Sequence, residues 1–168
     1  RNEGVNAIYK ALTAINDLKN YAFEKESPSL GPIKKSVTLI EAGSQHNVVP
    51  DSCKFVMDVR TTDAYSNTET VALLQAITAV ELKPRSLRLN ASGIPLDHPI
   101  VKRGQSLGMK TYGSPTLSDQ ALMNFTTIKI GPGDSARSHT ADEYIYLDEL
   151  KNGIELYIKL LTDLKIKG

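Results

Sequence analysis

The stretch SVTLIEAGSQHNVVPDSCKFVMDVR (Ser36–Arg60) decides how this chain is to be read. It holds two strand patterns, Ser36–Ala42 and Lys54–Arg60, on either side of a connection rich in Gly, Ser, Asn, Pro and Asp. In the second pattern Phe55, Met57 and Val59 alternate with Val56, Asp58 and Arg60. Successive side chains of a strand point to opposite faces. The first set is therefore expected on a core, and Asp58 and Arg60 together on the other face.

Upstream, residues 4–20 place Val5, Ile8, Leu12 and Ile15 at helical spacing, which predicts an amphipathic helix. Ser27-Pro28-Ser29 and Gly31-Pro32 then break the periodicity and mark a loop. Downstream, Ser66-Asn67-Thr68-Glu69 carries the S-x-x-E signature of a capping box. Val71, Leu74 and Ile77 follow as the buried stripe of a second helix, and Arg85–Ser92 alternates like a further strand. The order helix, strand, strand, helix, strand suits a split βαβ or ferredoxin-like α+β layer, with helices on an antiparallel sheet. It is one strand short of the full pattern.

The texture changes near Gly93, where a domain boundary is expected. A helix is predicted at Ile100–Leu107, a short helix near SDQALM, and a strand at Phe125–Ile130. Leu147, Leu150, Ile154, Tyr157, Ile158, Leu161 and Leu164 mark a long terminal helix. This half alternates α and β and reads as the tail of a larger α/β domain.

Composition narrows the function classes. The 168 residues are 40% apolar and 23% charged, with a formal net charge of +1. That is the balance of an ordinary globular protein, with no basic block for nucleic acid and no membrane-binding face. No apolar run approaches the ~20 residues of a membrane span, and no secretory leader pattern opens the sequence. Cys53 is the only cysteine, so internal disulfides are excluded. It is expected as a small packing residue at the start of a strand. A cytoplasmic location is the expectation.

Of the three histidines, His98 precedes a proline at a helix entrance and reads as structural. His46 lies in the connection between the two strands, where a functional and a solvated role are both open. His139 stands in GPGDSARSHTADEYI (Gly131–Ile145), in the loop after an expected strand, where ligands collect in α/β folds. Gly131 and Gly133 would let backbone approach a ligand closely. Asp142 and Glu143 could orient the His139 ring or serve the site themselves, but are read as solvated loop acids or salt-bridge partners. There is no G-x-S-x-G nucleophile elbow and no H-E-x-x-H zinc helix. A catalytic zinc needs three protein ligands, which His139 alone cannot supply.

Four stretches in this order, GVNAIYKAL (Gly4–Leu12), GSQHNVVPDSCKFVMDVRTTD (Gly43–Asp63), SDQALM (Ser118–Met123) and GPGDSARSHTADEYI, are similar to dinuclear zinc amidohydrolases. That family includes acetylornithine deacetylase, succinyl-diaminopimelate desuccinylase and the glutamate carboxypeptidases. The resemblance implies a lid or dimerisation domain over residues 1–93 and the C-terminal part of a zinc-binding catalytic domain over 94–168. It implies that most metal ligands, a glutamate general base and the lid's first strand precede Arg1, outside this sequence, and that this piece alone is inactive.

The resemblance also assigns residues. His139 matches the last zinc ligand of a two-zinc site, which cobalt could also fill. Arg60 matches a lid arginine that meets substrate carboxylate, a task its planar fork suits. Asn47 matches an asparagine that offers its amide to substrate, often across a dimer. Ser118, Gly131 and Gly133 would contact substrate or shape the pocket wall, Pro132 with them, and Asp119 would be a capping acid. The implied partners are a second copy of the chain and a small N-acyl amino acid, with N-acetyl- or N-succinyl-ornithine favoured, which implies a place in arginine biosynthesis. The desuccinylase, carboxypeptidase and dipeptidase branches are alternatives, as is a non-catalytic dimerisation module.

Overall fold

In the computed structural model, which describes residues 4–166, the decisive stretch forms an antiparallel pair. Strand β1 (Lys34–Ala42) runs against β2 (Cys53–Arg60) with Lys34 opposite Arg60 and Ala42 opposite Cys53. A bulge falls between Val37 and Leu39, where Thr38 turns its hydroxyl to the Val56 carbonyl at 3.4 Å. Both strands continue to the predicted ends, with β1 starting two residues earlier than its β-branched run.

Helix α1 (Ala7–Asn20) packs against both strands. Asn6 caps it, accepting the Ile8 N–H at 2.9 Å. Its buried face is Ala11, Ala14 and Leu18, with Ile8 and Ile15 half-buried. The expected stripe is corrected here: Val5 and Leu12 point outward. Two alanines let the helix axis approach the sheet closely, so the contact face is rotated toward small residues and away from Leu12.

Helix α2 (Asn67–Ala76) begins with the capping box in full: Ser66 Oγ accepts the Glu69 N–H at 3.1 Å, and Glu69 Oε2 accepts the Ser66 N–H at 2.8 Å. Those bonds hold the Glu69 carboxyl below the usual carboxylate range. Leu74 is buried on its inner face.

Residues 85–92 do not form the expected strand. Asn67 Nδ2 donates to the carbonyls of Leu89 at 2.8 Å and Leu87 at 3.3 Å, while Asn90 Oδ1 accepts the Asn67 N–H at 2.8 Å. A side chain thus takes the carbonyls that a neighbouring strand would have bonded. The sheet among the described residues is therefore two-stranded.

The chain divides into two compact units. One holds the chain up to Ala91 together with Ser114–Leu122; the other holds Ser92–Gly113 and the chain from Met123 onward. The second is built on α3 (Pro99–Ser106) and α4 (Leu147–Leu161). His98 caps α3 as expected of a structural residue, its Nδ1 accepting the Ile100 N–H at 3.4 Å, and Pro99 fills the first helical position. Arg103 reaches the carbonyls of Lys159 at 3.3 Å and Thr162 at 3.1 Å, a cation on the negative end of α4.

Two expectations fail in this unit. Residues 125–130 carry no strand, and the sheet among the described residues is confined to β1 and β2. On α4 the packed residues are Gly153 and Leu160, with Tyr157 half-buried. Leu147, Leu150, Ile154, Ile158 and Leu161 face outward instead of into a core. The helix has two apolar faces, and the period of the sequence counts them without saying which one is used.

Candidate functional site

Arg60 and Asn47 belong to one hairpin but to its opposite ends. Asn47 sits in the 43–52 connection, whereas Arg60 closes β2 beside Lys34. Seven residue steps of strand separate Cys53 from Arg60, about 23 Å. Arg60 Nε donates to Asp58 Oδ2 at 2.7 Å, which places both on the face opposite Val59, as the alternation predicts. The Arg60 side chain is 73% exposed. An ion pair so exposed is worth at most ~1 kcal/mol, so a ligand carboxylate can share or displace Asp58.

The connection itself forms one side of an open groove of about 490 Å³, lined by Asn6, Ile8, Ala42–Gln45, His46, Val48 and Pro50. Three local features fix its shape. Gly43 takes a left-handed φ of +73°. The Ala7 N–H reaches the Pro50 carbonyl at 3.0 Å, and Gly4 leaves room for the Val49 side chain. His46 lines this groove; Asn47 is exposed beside it and is not part of the lining. Cys53 is half-buried where β2 leaves the connection.

Ser118 is half-buried at the start of the 3-10 turn Asp119–Leu122, its hydroxyl donating to Gln120 Oε1 at 3.3 Å. Asp119 stands in the first turn, where an acid suits the helix dipole.

In the second unit the Gly131–Ile145 loop is fastened onto α4. The Tyr157 hydroxyl donates to the Ile130 carbonyl at 2.7 Å, and Pro132 packs on Gly153. Gly133 has φ +85°, and a Cβ there would come within 3.1 Å of Ile145 Cδ1. Glycine is required at that turn; Gly131 has open space around it. Asp134 Oδ1 accepts the Ala136 N–H at 2.9 Å and starts the short turn Ser135–Arg137.

His139 follows at φ +62°, a left-handed conformation rare outside glycine. Its N–H donates to Glu143 Oε2 at 3.0 Å, and Thr140 Oγ1 donates to the Arg137 carbonyl at 2.9 Å. Glu143 is exposed, as expected of a solvated loop acid, and also holds the backbone of His139. The side chain of His139 is exposed. No group of three or more His, Cys, Asp or Glu capable of holding a metal occurs among the described residues. The residues present therefore do not make a metal centre by themselves.

Sequence reasoning passed over Arg137. Its guanidinium meets Glu149 Oε1 at 2.5 Å and lies 5.1 Å from the ring centres of both Tyr144 and Tyr146. The bond to Arg137, with the Tyr146 N–H second, holds the Glu149 carboxyl below the usual range. The Tyr-x-Tyr spacing, which puts two rings on one side of an extended segment, was the available signal.

A profile described as the peptidase dimerisation domain matches residues 1–86, a little over half of the chain. The chain belongs to the peptidase dimerisation domain family. Its small α+β unit, a two-stranded antiparallel sheet with helices, is consistent with such a domain. This dimerisation domain chain is also 28% identical over 174 aligned residues to the LysW-lysine/LysW-ornithine hydrolase of Saccharolobus solfataricus. The alignment covers 95% of this chain and 46% of that protein, so the chain spans about half the length of the curated relative it matches. No helix among the described residues is long and apolar enough to cross a membrane.

Proposed function

We propose that this chain is part of a metal-dependent amide hydrolase that removes an acyl group from an N-acylated amino acid of the ornithine or lysine kind. Residues 1–93 would be its lid and dimerisation domain, and 94–168 the C-terminal part of its catalytic domain. The observation that carries the reading is His139: a histidine in a left-handed backbone, bonded at its N–H, with its imidazole exposed at the tip of a loop tied to α4. A relative whose name gives it lysine and ornithine derivatives to hydrolyse supports the substrate class. N-acetyl- and N-succinyl-ornithine are the two substrates favoured.

Zinc, two ions per subunit in the complete enzyme, would polarise the amide and supply the attacking water. His139 is the one ligand proposed from this chain. Arg60 would bind the substrate carboxylate through its fork, and Asn47 would offer an amide to the substrate. Ser118 would contact substrate, and Gly131 and Gly133 would shape the pocket wall. Because Arg60 and Asn47 stand at opposite ends of one hairpin, they would serve different active sites of a homodimer. Tyr9 and Leu12 on the outer face of α1, and Leu39 and Ile40 on β1, offer exposed apolar surface for that pairing.

The test is hydrolysis of N-acetyl-ornithine, N-succinyl-ornithine and N-acetyl-lysine by the longer hydrolase with zinc or cobalt, compared with His139→Asn. A loss of roughly 100-fold or more is expected from removing a ligand. Undiminished activity in the variant would remove His139 from the reaction and this reading with it.

A further inference from the structure

The Arg137 side chain joins three parts of the second unit that the sequence keeps apart. It starts two residues before His139, in the turn Ser135–Arg137. Its guanidinium reaches Glu149 in the first turn of α4, and Glu149 Oε2 in turn accepts the Tyr146 N–H at 3.0 Å. Tyr144 and Tyr146 flank it, their own rings 5.2 Å apart and edge-on. A guanidinium over two aromatic rings gains cation–π attraction in addition to the ion pair. Only 17% of the Arg137 side chain is exposed, and Nε is buried without a hydrogen-bond partner. Leaving that N–H unpaired costs free energy, which the carboxylate and the two rings must offset. The base of the loop is fitted to it as well: a Cβ on Gly133 would stand 3.7 Å from an Arg137 terminal nitrogen.

From these contacts we infer that Arg137 is a positioning residue for His139. The guanidinium pins the start of the loop to α4. The Glu143 carboxylate pins the His139 N–H, and the Thr140 hydroxyl pins the carbonyl of Arg137 itself. Between those anchors the chain has one short arc in which to place the imidazole, and the left-handed φ at residue 139 is the result. A loop held only at Gly131–Gly133 would be free to relax His139 into the extended region. The inference rests on the proposed role of His139 for its purpose, since a ligand must be held still before it binds.

The experiment is carried out on the full 168-residue chain without metal, so it is independent of the hydrolase assay. Amide exchange of His139 and its intraresidue HN–Hα contact, which is strong at positive φ, are followed by NMR in Arg137→Met and Arg137→Lys. In Arg137→Met the His139 amide is expected to exchange about tenfold faster and the HN–Hα contact to weaken. The Leu160 amide in the core of α4 should keep its protection, and Arg137→Lys should restore part of the effect. An unchanged His139 amide and contact in Arg137→Met would overturn the inference. Should Leu160 lose protection equally, Glu149→Gln decides on the same two signals. It keeps an acceptor for the Tyr146 N–H and removes only the charge that Arg137 meets. A failure here leaves the zinc reading of His139 standing, and an active His139→Asn enzyme leaves this result untouched.

Discussion

Pro132 lies so close to Gly153 that a Cβ built on the glycine would stand 2.9 Å from the proline's own Cβ. Neither side can give way, because one is a helix backbone and the other a rigid ring at the base of the His139 loop.

Gly153→Ala therefore sets helix propensity against a steric clash. Alanine favours the helix by about 1 kcal/mol, while overpacking costs about 1–3 kcal/mol, so net destabilisation is expected. Gly104→Ala in α3 is the control, since the new methyl meets the flexible Met109 sulfur at 3.3 Å. Thermal unfolding of the two variants should move in opposite directions, or leave Gly104→Ala unchanged. A stabilised Gly153→Ala would show that the loop does not depend on this contact.

Asn67 is the tether of residues 85–90. Asn67→Asp keeps an acceptor for the Thr61 hydroxyl, 2.9 Å away, and deletes the donor to Leu89 and Leu87. A loss of about 1–2 kcal/mol is expected, together with faster proteolysis near Leu89. Asn90→Ala removes the bond to the Asn67 N–H and the longer Asn90 Nδ2 bond to the Leu87 carbonyl at 3.3 Å, and should cost about 1 kcal/mol. Equal stability of Asn67→Asp and wild type in urea titration would contradict the tether.

Acid should weaken the second unit through Glu149. Its carboxyl titrates below the usual carboxylate range because Arg137 and the Tyr146 N–H hold the charged form. A depressed folded-state pKa contributes stability above the unfolded-state value and loses it as pH falls through the folded one. Unfolding measured from pH 7 downward should thus steepen below about pH 4, and Glu149→Gln should flatten that limb. Glu69, held low by Ser66, adds a parallel loss in the first unit. Identical acid limbs in wild type and Glu149→Gln would count against the Arg137 pair.

Arg60→Lys separates binding from chemistry in the proposed hydrolase. Lysine keeps the charge and loses the planar fork, so KM should rise about tenfold with kcat nearly unchanged. A fall in kcat at constant KM would place Arg60 elsewhere than on the ground-state carboxylate.

What the sequence made readable was local. The β1–β2 pair, the Ser66–Glu69 box, the first helix and the His98 helix entrance depend on residues close to one another in the chain, and all are present. Alternation at Arg85–Ser92 and the strand-like run at Phe125–Ile130 misled because such patterns make a strand possible, while a paired neighbour makes it real. The terminal helix was legible in extent but not in orientation, since its apolar residues wrap two faces. Arg137 was invisible for another reason. Its partner Glu149 lies twelve positions on, and only the folded loop makes them neighbours.

The left-handed backbone at His139 also bears on how this loop can drift by mutation. From either histidine codon, a single nucleotide change reaches Asn, Asp, Tyr, Gln, Arg, Leu or Pro. Asn and Asp enter the left-handed region most readily, and Pro, with its ring-fixed negative φ, cannot enter it at all. Descendants of this chain that lose the imidazole but keep the fold should therefore carry Asn or Asp at position 139. Those that carry Leu or Pro should have lost the loop as well.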